Sequence, residues 1–340
     1  MDHSHGPSPA IIFDIMFGHQ RTAALRAAVE LGVFDKVGEG PADAQTMATR
    51  CSASLRGMRI LCDYLVIMGL LEKSDGIYRH TSTSAAFLDS RSPMCVASIT
   101  RFLSAPESTE PYNHLSSIVR NGRTSLPGQG SVEPDHPIWV EFAHSMAPMM
   151  APMAGPLGAI VLDGQADANL SVLDIAAGHG LFGIAVAKQN PNAHITALDW
   201  AAVLEVAASN AYKAGISDRF TRLAGNAFDA DYGGPYDIVL LTNFLHHFDT
   251  ETCVGLLKKV LAATRPGGRV ATLEFVPNDD RVTPPTPAAF ALTMLASTAS
   301  GDAYTFKELA AMYEHAGYTS ITEHPIPMSP HTVVMGVVPA

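Results

Sequence analysis

"LDIAAGHGLFG", Leu173 to Gly183, runs from an apolar stretch into an acid, Asp174, and then sets three glycines, Gly178, Gly180 and Gly183, within six residues. A strand turning tightly into a helix is written this way, because glycine takes the backbone angles of the turn and lets a ligand approach the chain closely. The spacing G-x-G-x-x-G also opens dinucleotide-binding folds, so alone it leaves two ligand classes standing. Asp174 separates them. A carboxylate pointing toward such a cradle repels a pyrophosphate and attracts a ligand that bears cationic groups.

Outward from that corner, residues from Ser171 onward alternate strand and helix. "SVLDIA", "HITALD", "RFTRLAG", "YDIVLLTN" and "GRVATLEFV" read as strands, with helices over Leu181–Gln189, Leu204–Ala214 and Glu251–Thr264. The alternation implies a parallel sheet wrapped by helices, with ligands at the carboxyl ends of the strands. "YTFKELAAMYEHAG" then adds a helix, and "YTSITEHPI" and "HTVVMGVVP" add two strands. No crossover helix fits between those two, so the last strand of a seven-stranded, mostly parallel sheet is expected to be antiparallel.

The first hundred residues follow a different grammar. "ALRAAVELGVF" and "MRILCDYLVIMGLL" place apolar residues at three- and four-residue spacing, the mark of amphipathic helices. Between them, "PADAQTMATRCSASLRG" reads as helix, turn, helix, and "LEKSDGIYRHT" reads as two short strands around Ser74, Asp75 and Gly76. That order outlines a winged helix. Arg56 and Arg59 lie where a DNA-reading helix would present them, but they run straight into Ile60, Leu61, Tyr64, Leu65, Val66 and Ile67, which leaves little face for a phosphate backbone. A protein–protein or interdomain role is the better reading.

Residues 104–135, rich in Pro, Gly and Ser, read as a connector. The following "WVEFAHSMAPMMAPMAGPLGAIVL" gathers Met146, Met149, Met150 and Met153 on helical backbone. Methionines so spaced ordinarily fill a core; the alternative is an adaptable pocket wall with Phe142 and the stretch "PPTPAAFALTML".

At 340 residues and 47% hydrophobic, the chain is expected to hold more than one core. A net charge of -11 argues against nucleic acid as partner. Four cysteines, Cys51, Cys62, Cys95 and Cys253, show neither disulfide nor zinc spacing, which points to a reducing, cytoplasmic setting. The start, with His3 and His5 among Gly and Pro, reads as a frayed tail without a leader's apolar core. No later stretch is expected to approach the roughly 20 apolar residues of a membrane span.

A nucleoside with an ammonium and a sulfonium, S-adenosylmethionine, fits the corner: ammonium near Asp174, carboxylate on the glycine-loop N–H groups, ribose hydroxyls on Asp199. "VLDIAAGHG", "ALDW", "NFLHHFDTETC", "RPGG" and "LEFVPN", in this order, resemble class I S-adenosylmethionine-dependent O-methyltransferases with an N-terminal winged-helix dimerisation domain, the group of caffeic-acid, hydroxyindole and bacterial natural-product enzymes. The resemblance covers nearly the whole chain. It implies a Rossmann-like methyltransferase domain over residues 166–340, pocket helices and connector over 106–165, and a dimerisation domain over 1–105 that pairs two copies. It also implies that Asp174, Gly178 and Gly180 hold the methionine end, Asp199 the ribose, and Trp200 the adenine, with Asn243 a further cofactor contact. In "GNAF", Asn226 and Ala227 stand where the family has an acid and an apolar residue beside the adenine.

Methyl transfer to oxygen is an in-line displacement that a base assists by removing the hydroxyl proton. His246 and His247 stand just past the fourth strand, about 100° apart if helical, so one of them faces the substrate. The resemblance gives the base's place to His246 and puts Glu274 beside it, fixing the tautomer; His247 lines the substrate or bonds to backbone. A second family acid falls at Ala303, with Asp302 adjacent, a departure that leaves methylation at carbon, or a cyclase or hydroxylase reaction, as alternatives to a phenolic or enolic hydroxyl. Neighbouring histidines rarely chelate one ion, and no metal site is expected.

Overall fold

In the computed structural model, which describes residues 7–131 and 138–340, the contacts divide the chain into two compact units between Ala105 and Pro106. His3 and His5 lie outside the described residues. The first unit comprises α1 (Ala10–Met16), α2 (Gly18–Glu30), α3 (Val33–Gly38), α4 (Ala44–Arg50), α5 (Leu55–Ile67), β1 (Leu71–Ser74), β2 (Ile77–His80), α6 (Ser82–Phe87) and α7 (Ile99–Leu103). Asp43 caps α4 by accepting from Thr46 N–H at 2.8 Å, and Ser54 caps α5 from Gly57 N–H at 3.1 Å. Asp75 and Gly76 take φ of 52° and 80°, the left-handed pair that a two-residue hairpin turn requires, and β1 pairs β2 antiparallel. Phe34, Met47, Met58, Leu65 and Tyr78 fill the core of this winged helix. Two of its basic side chains, Arg59 and Lys73, both bond Asp63, which also accepts the Tyr78 hydroxyl.

The second unit comprises α8 (Pro106–Asn113), α9 (Leu115–Asn121), α10 (Ile138–Leu162), β3 (Leu170–Ile175), α11 (Leu181–Gln189), β4 (Ala193–Asp199), α12 (Ala201–Lys213), β5 (Phe220–Ala224), β6 (Tyr236–Thr242), α13 (Thr250–Ala263), β7 (Thr264–Phe275), α14 (Pro285–Ser297), α15 (Phe306–Ala316), β8 (Thr319–Pro325) and β9 (His331–Val337). The sheet order is β5-β4-β3-β6-β7-β9-β8. β3 to β7 run parallel, while β9 is antiparallel to β7 and to β8. Strand order reverses between β3 and β6, and the crevice at their carboxyl ends is where such sheets hold ligands.

Two expectations are corrected here. Residues 104–135 are not a plain connector: α8 and α9 form within them, because proline is tolerated in a first helical turn, as at Pro106. Nor is every stretch too short or too polar to cross a bilayer. α10, at 25 residues, meets that test by length and composition, although half of its apolar window is buried in the fold, where it packs along α11 and α12. Pro148, Pro152 and Pro156, Glu141 and His144 break the run to the eye, yet the backbone stays helical. Arg269 closes its carboxyl end, donating to the carbonyls of Val161 at 2.8 Å and Asp163 at 3.0 Å. The stretch "PPTPAAFALTML" folds as α14, with Pro285 in its first turn.

Candidate active site

At the end of β3 the chain turns through Ala176, itself left-handed at φ 53°, and Gly180, the N-terminal cap of α11 at φ 73°. A Cβ on Gly180 would stand 3.0 Å from the Ala207 Cβ. Asp174 lies beneath this loop and is fully buried. Its Oδ2 accepts the Gly183 N–H at 3.0 Å; its Oδ1 is buried and has no partner. An orphaned carboxylate oxygen is a costly arrangement. Burial pushes the Asp174 carboxyl up to about 7, with the Asp199 charge adding to the shift. Beneath the loop, Asp174 reaches a ligand chiefly as charge, while the loop N–H groups supply the surface.

Asp199, at the end of β4, accepts from Gly178 N–H at 2.8 Å and Trp200 N–H at 2.7 Å, one bond to each oxygen. Each oxygen keeps a lone pair for a hydroxyl donor. Burial raises this carboxyl to about 6 against the pull of those two bonds. Trp200 packs against a cluster of Ala143 on α10 with Val203 and Val206 on α12, as do Trp139 and Val140. Asn226 is committed to its own turn: Oδ1 accepts Phe228 N–H at 2.9 Å, and Nδ2 donates to Asp229 at 3.0 Å. Ala227 is buried in the core, and its carbonyl accepts from the Tyr232 hydroxyl and from Lys259 Nζ.

The end of β6 carries the reactive groups. Asn243 takes φ 53° and leads into a short 3-10 turn, Leu245–His247. His246 Nδ1 bonds Glu274 Oε2 on the neighbouring β7, and Glu274 Oε1 accepts the N–H groups of Phe244 at 3.1 Å and Leu245 at 2.9 Å. Both side chains are buried. Carboxylate and turn therefore brace one another, and the second ring nitrogen of His246 is left for chemistry. His247 lies tilted against that ring with the centroids 4.2 Å apart, bonds the Phe244 carbonyl at 3.2 Å and meets Trp139 edge-on. Enclosure and the neighbouring imidazole hold its pKa well below the ordinary value, so it is neutral. Asp302 contacts His246 only through backbone, its N–H donating to the His246 carbonyl; its carboxylate pairs with Arg281.

Of the α10 candidates, Met146 and Met150 are buried and Met149 is half-buried, as is Phe142, which packs edge-on against Trp139. Met150 lies 3.9 Å from Asn243 Nδ2, which joins α10 to the β6 end. His331 and Ser329 escaped the sequence reading, whereas Phe290 belongs to the stretch "PPTPAAFALTML" offered there as pocket wall. Phe290 of α14 meets the His246 ring edge-on at 4.9 Å and stacks on Phe275 at 4.1 Å, and His331 of β9 packs on Phe275 at 4.0 Å with Ser329 beside it. No local motif marks His331 or Ser329, since only the β7–β9 pairing brings Phe275 and His331 together.

A glycine loop over one buried and one half-buried acid, and a buried His–Glu pair on the same sheet edge, define a transferase that takes a cationic nucleoside donor. The matches with known proteins give the family. Residues 162–319 match an O-methyltransferase domain, and residues 13–90 an O-methyltransferase dimerisation domain. A Nostoc punctiforme protein assigned as an O-methyltransferase shares the fold at a TM-score of 0.94 and 47% identity, covering 98% of this chain and 100% of that one. Human N-acetylserotonin methyltransferase, solved with S-adenosylmethionine, superposes at 0.86 with 22% identity over 100% of both chains, a likeness of fold. The 3-hydroxy-5-methyl-1-naphthoate 3-O-methyltransferase of Streptomyces sahachiroi is 27% identical over 319 residues, 92% of this chain and 90% of that protein. The chain belongs to the S-adenosylmethionine-dependent O-methyltransferases that carry a dimerisation domain. The residues present fit that cofactor: two desolvated carboxylates, one with an orphaned oxygen, are relieved by a cation and not by a diphosphate.

Proposed function

We propose that the protein methylates a phenolic or enolic hydroxyl of a hydrophobic small molecule, with His246 as the base, and works as a homodimer paired through its N-terminal unit. The observation that carries this reading is the buried His246–Glu274 pair at the carboxyl edge of β6 and β7. Glu274 accepts the Nδ1–H hydrogen bond of the ring, which keeps that proton, so Nε2 presents its lone pair to the acceptor hydroxyl and takes its proton to give the imidazolium. S-adenosylmethionine, when bound, supplies the electrophilic methyl group. Met146, Met149, Met150 and Phe142 form an apolar wall that orients a flat acceptor and excludes water. Asp174, the glycine loop, Asp199 and Trp200 are assigned to the cofactor. The relative from Streptomyces sahachiroi, named for a naphthoate hydroxyl, supports an aromatic acceptor, and the four free cysteines suit the cytoplasm.

Transfer of labelled methyl to a panel of naphthols and hydroxyindoles tests the reading. His246→Ala is expected to lower kcat by roughly 10²- to 10⁴-fold while calorimetry shows unchanged cofactor affinity, and Glu274→Gln to lower kcat less. An undiminished kcat in His246→Ala removes the histidine from the chemistry.

A further inference from the structure

Beyond the base, the same sheet edge holds a second polar device, and its role rests on the methyl-transfer reading above. His331, at the start of β9, is buried with its ring bonded at both ends: Nδ1 lies 3.2 Å from Ser329 Oγ, and Nε2 lies 3.1 Å from Asn243 Oδ1. Burial holds this histidine down to about 4, so the ring is neutral and has one N–H to give. The neighbours settle where that proton sits. The Asn243 amide has Met150 Sδ at its other end, 3.9 Å from Nδ2, and a thioether only accepts, so the NH₂ faces Met150 and the carbonyl faces His331. Nε2–H then donates to Asn243, and Nδ1 faces Ser329 Oγ, whose hydroxyl donates to Met153 Sδ at 3.0 Å.

The amide is thereby held with its NH₂ directed at α10, where, among the described residues, it meets the soft sulfur of Met150. Placement separates this group from the cofactor. Its carbonyl end reaches across β7 to β9, away from β3 and the glycine loop, and its backbone N–H is tied to the Leu273 carbonyl of β7. Asn243 stands three residues from His246, on the turn that presents the base. A donor so placed beside the base needs an acceptor from the molecule being methylated.

We propose that Asn243, held by His331 as a positioning residue, donates a hydrogen bond to a carbonyl or carboxylate oxygen adjacent to the hydroxyl that is methylated, and so selects acceptors of the ortho-hydroxy carbonyl class. Two features follow. Left-handed backbone at Asn243 restricts the position to residues that tolerate φ 53°, so Gly and Asp are the clean substitutions. Glutamine at position 331 restores a donor toward the Asn243 carbonyl, whereas phenylalanine only fills the space.

The test uses the full chain saturated with S-adenosylhomocysteine and the probes 2-naphthol and methyl 3-hydroxy-2-naphthoate, titrated by calorimetry. One hydrogen bond of ordinary strength corresponds to a preference of roughly three- to tenfold for the ester in the unmodified protein. Asn243→Gly and Asn243→Asp are expected to abolish that preference while cofactor affinity stays within about twofold. His331→Phe lowers it, and His331→Gln brings it back. Equal binding of the two probes, binding of neither, or a preference that survives Asn243→Gly overturns the proposal. A cofactor affinity that collapses in both Asn243 variants overturns it also, by returning Asn243 to the donor site. The methyl-transfer reading falls separately, to the His246→Ala result above.

Discussion

A buried acid without a partner has thermodynamic consequences, and Asp174 is that residue. Its carboxyl is raised from 3.8 to about 7 in the folded chain, so between those values the native state holds a proton that the unfolded state has released. The contribution of this group to stability is therefore greatest below about pH 4 and is lost as pH rises to 7, with Asp199, raised to about 6, acting in the same sense. Relative to Asp174→Asn, the unliganded protein is expected to lose on the order of 2 kcal/mol between pH 5 and pH 7. Urea titrations of both proteins at the two pH values check this, and parallel pH profiles would show that Asp174 does not titrate in this range. Because a bound cation favours the ionised acid, cofactor affinity should rise more steeply over the same interval in the unmodified protein than in Asp174→Asn, where only Asp199 still titrates. Asp174, His246 and Glu274 were legible in the sequence because each ends or sits on a strand whose neighbours announce it. His331 was not: nothing in its own stretch carries a periodicity or spacing tied to the base, and its place beside Phe275 arises only from the β7–β9 pairing.

Elements show the same division between what is local and what is assembled. Strands β3, β4, β6 and β7 were readable because a strand buried on both faces is a nearly unbroken apolar run, and α11 because glycine marks its start. α10 and α14 were harder, since prolines inside or before them mimic loop composition while their flanks still permit helix. The junction of α11 with the sheet is the tightest of these contacts. A Cβ on Gly183 would fall 2.7 Å from Ile195 Cγ2 on β4 and 2.9 Å from Asp174 Oδ2 on β3, so the helix lies on the strands only because this residue has no side chain. Gly183→Ala should force α11 outward, cost about 1–3 kcal/mol of stability, and weaken cofactor binding by disturbing the loop that α11 begins. Denaturant unfolding together with cofactor calorimetry reads both effects. A variant as stable and as tight as the parent would mean that the helix has slack the contact distances deny.

At the scale of the whole molecule, the exposed large apolar side chains of the second unit, such as Val119, Tyr212, Val282 and Met328, are scattered along the chain, whereas the first unit gathers several on one helix. α1 has no buried residue: Ile11, Ile12, Phe13, Ile15 and Met16, with Phe17 following, are all more than half exposed. Monomeric proteins seldom leave such a patch uncovered. We propose a second copy as its cover, since residues 13–90 match an O-methyltransferase dimerisation domain and a net charge of -11 opposes unspecific clumping as the alternative. Ile11 and Ile15 stand one helical turn apart and so share a face. Burying each is worth about 1.5–3 kcal/mol, so Ile11→Glu with Ile15→Glu removes on the order of 3 kcal/mol or more per chain, a loosening of the dimer by at least about 100-fold. Sedimentation velocity at micromolar concentration should show the double variant as monomer and the parent as dimer, with helix content by circular dichroism unchanged. If the double variant remains dimeric, α1 is not the seam, and the exposed apolar residues elsewhere in that unit, Leu55, Ile60 and Ile67 on α5, become the surface to alter next.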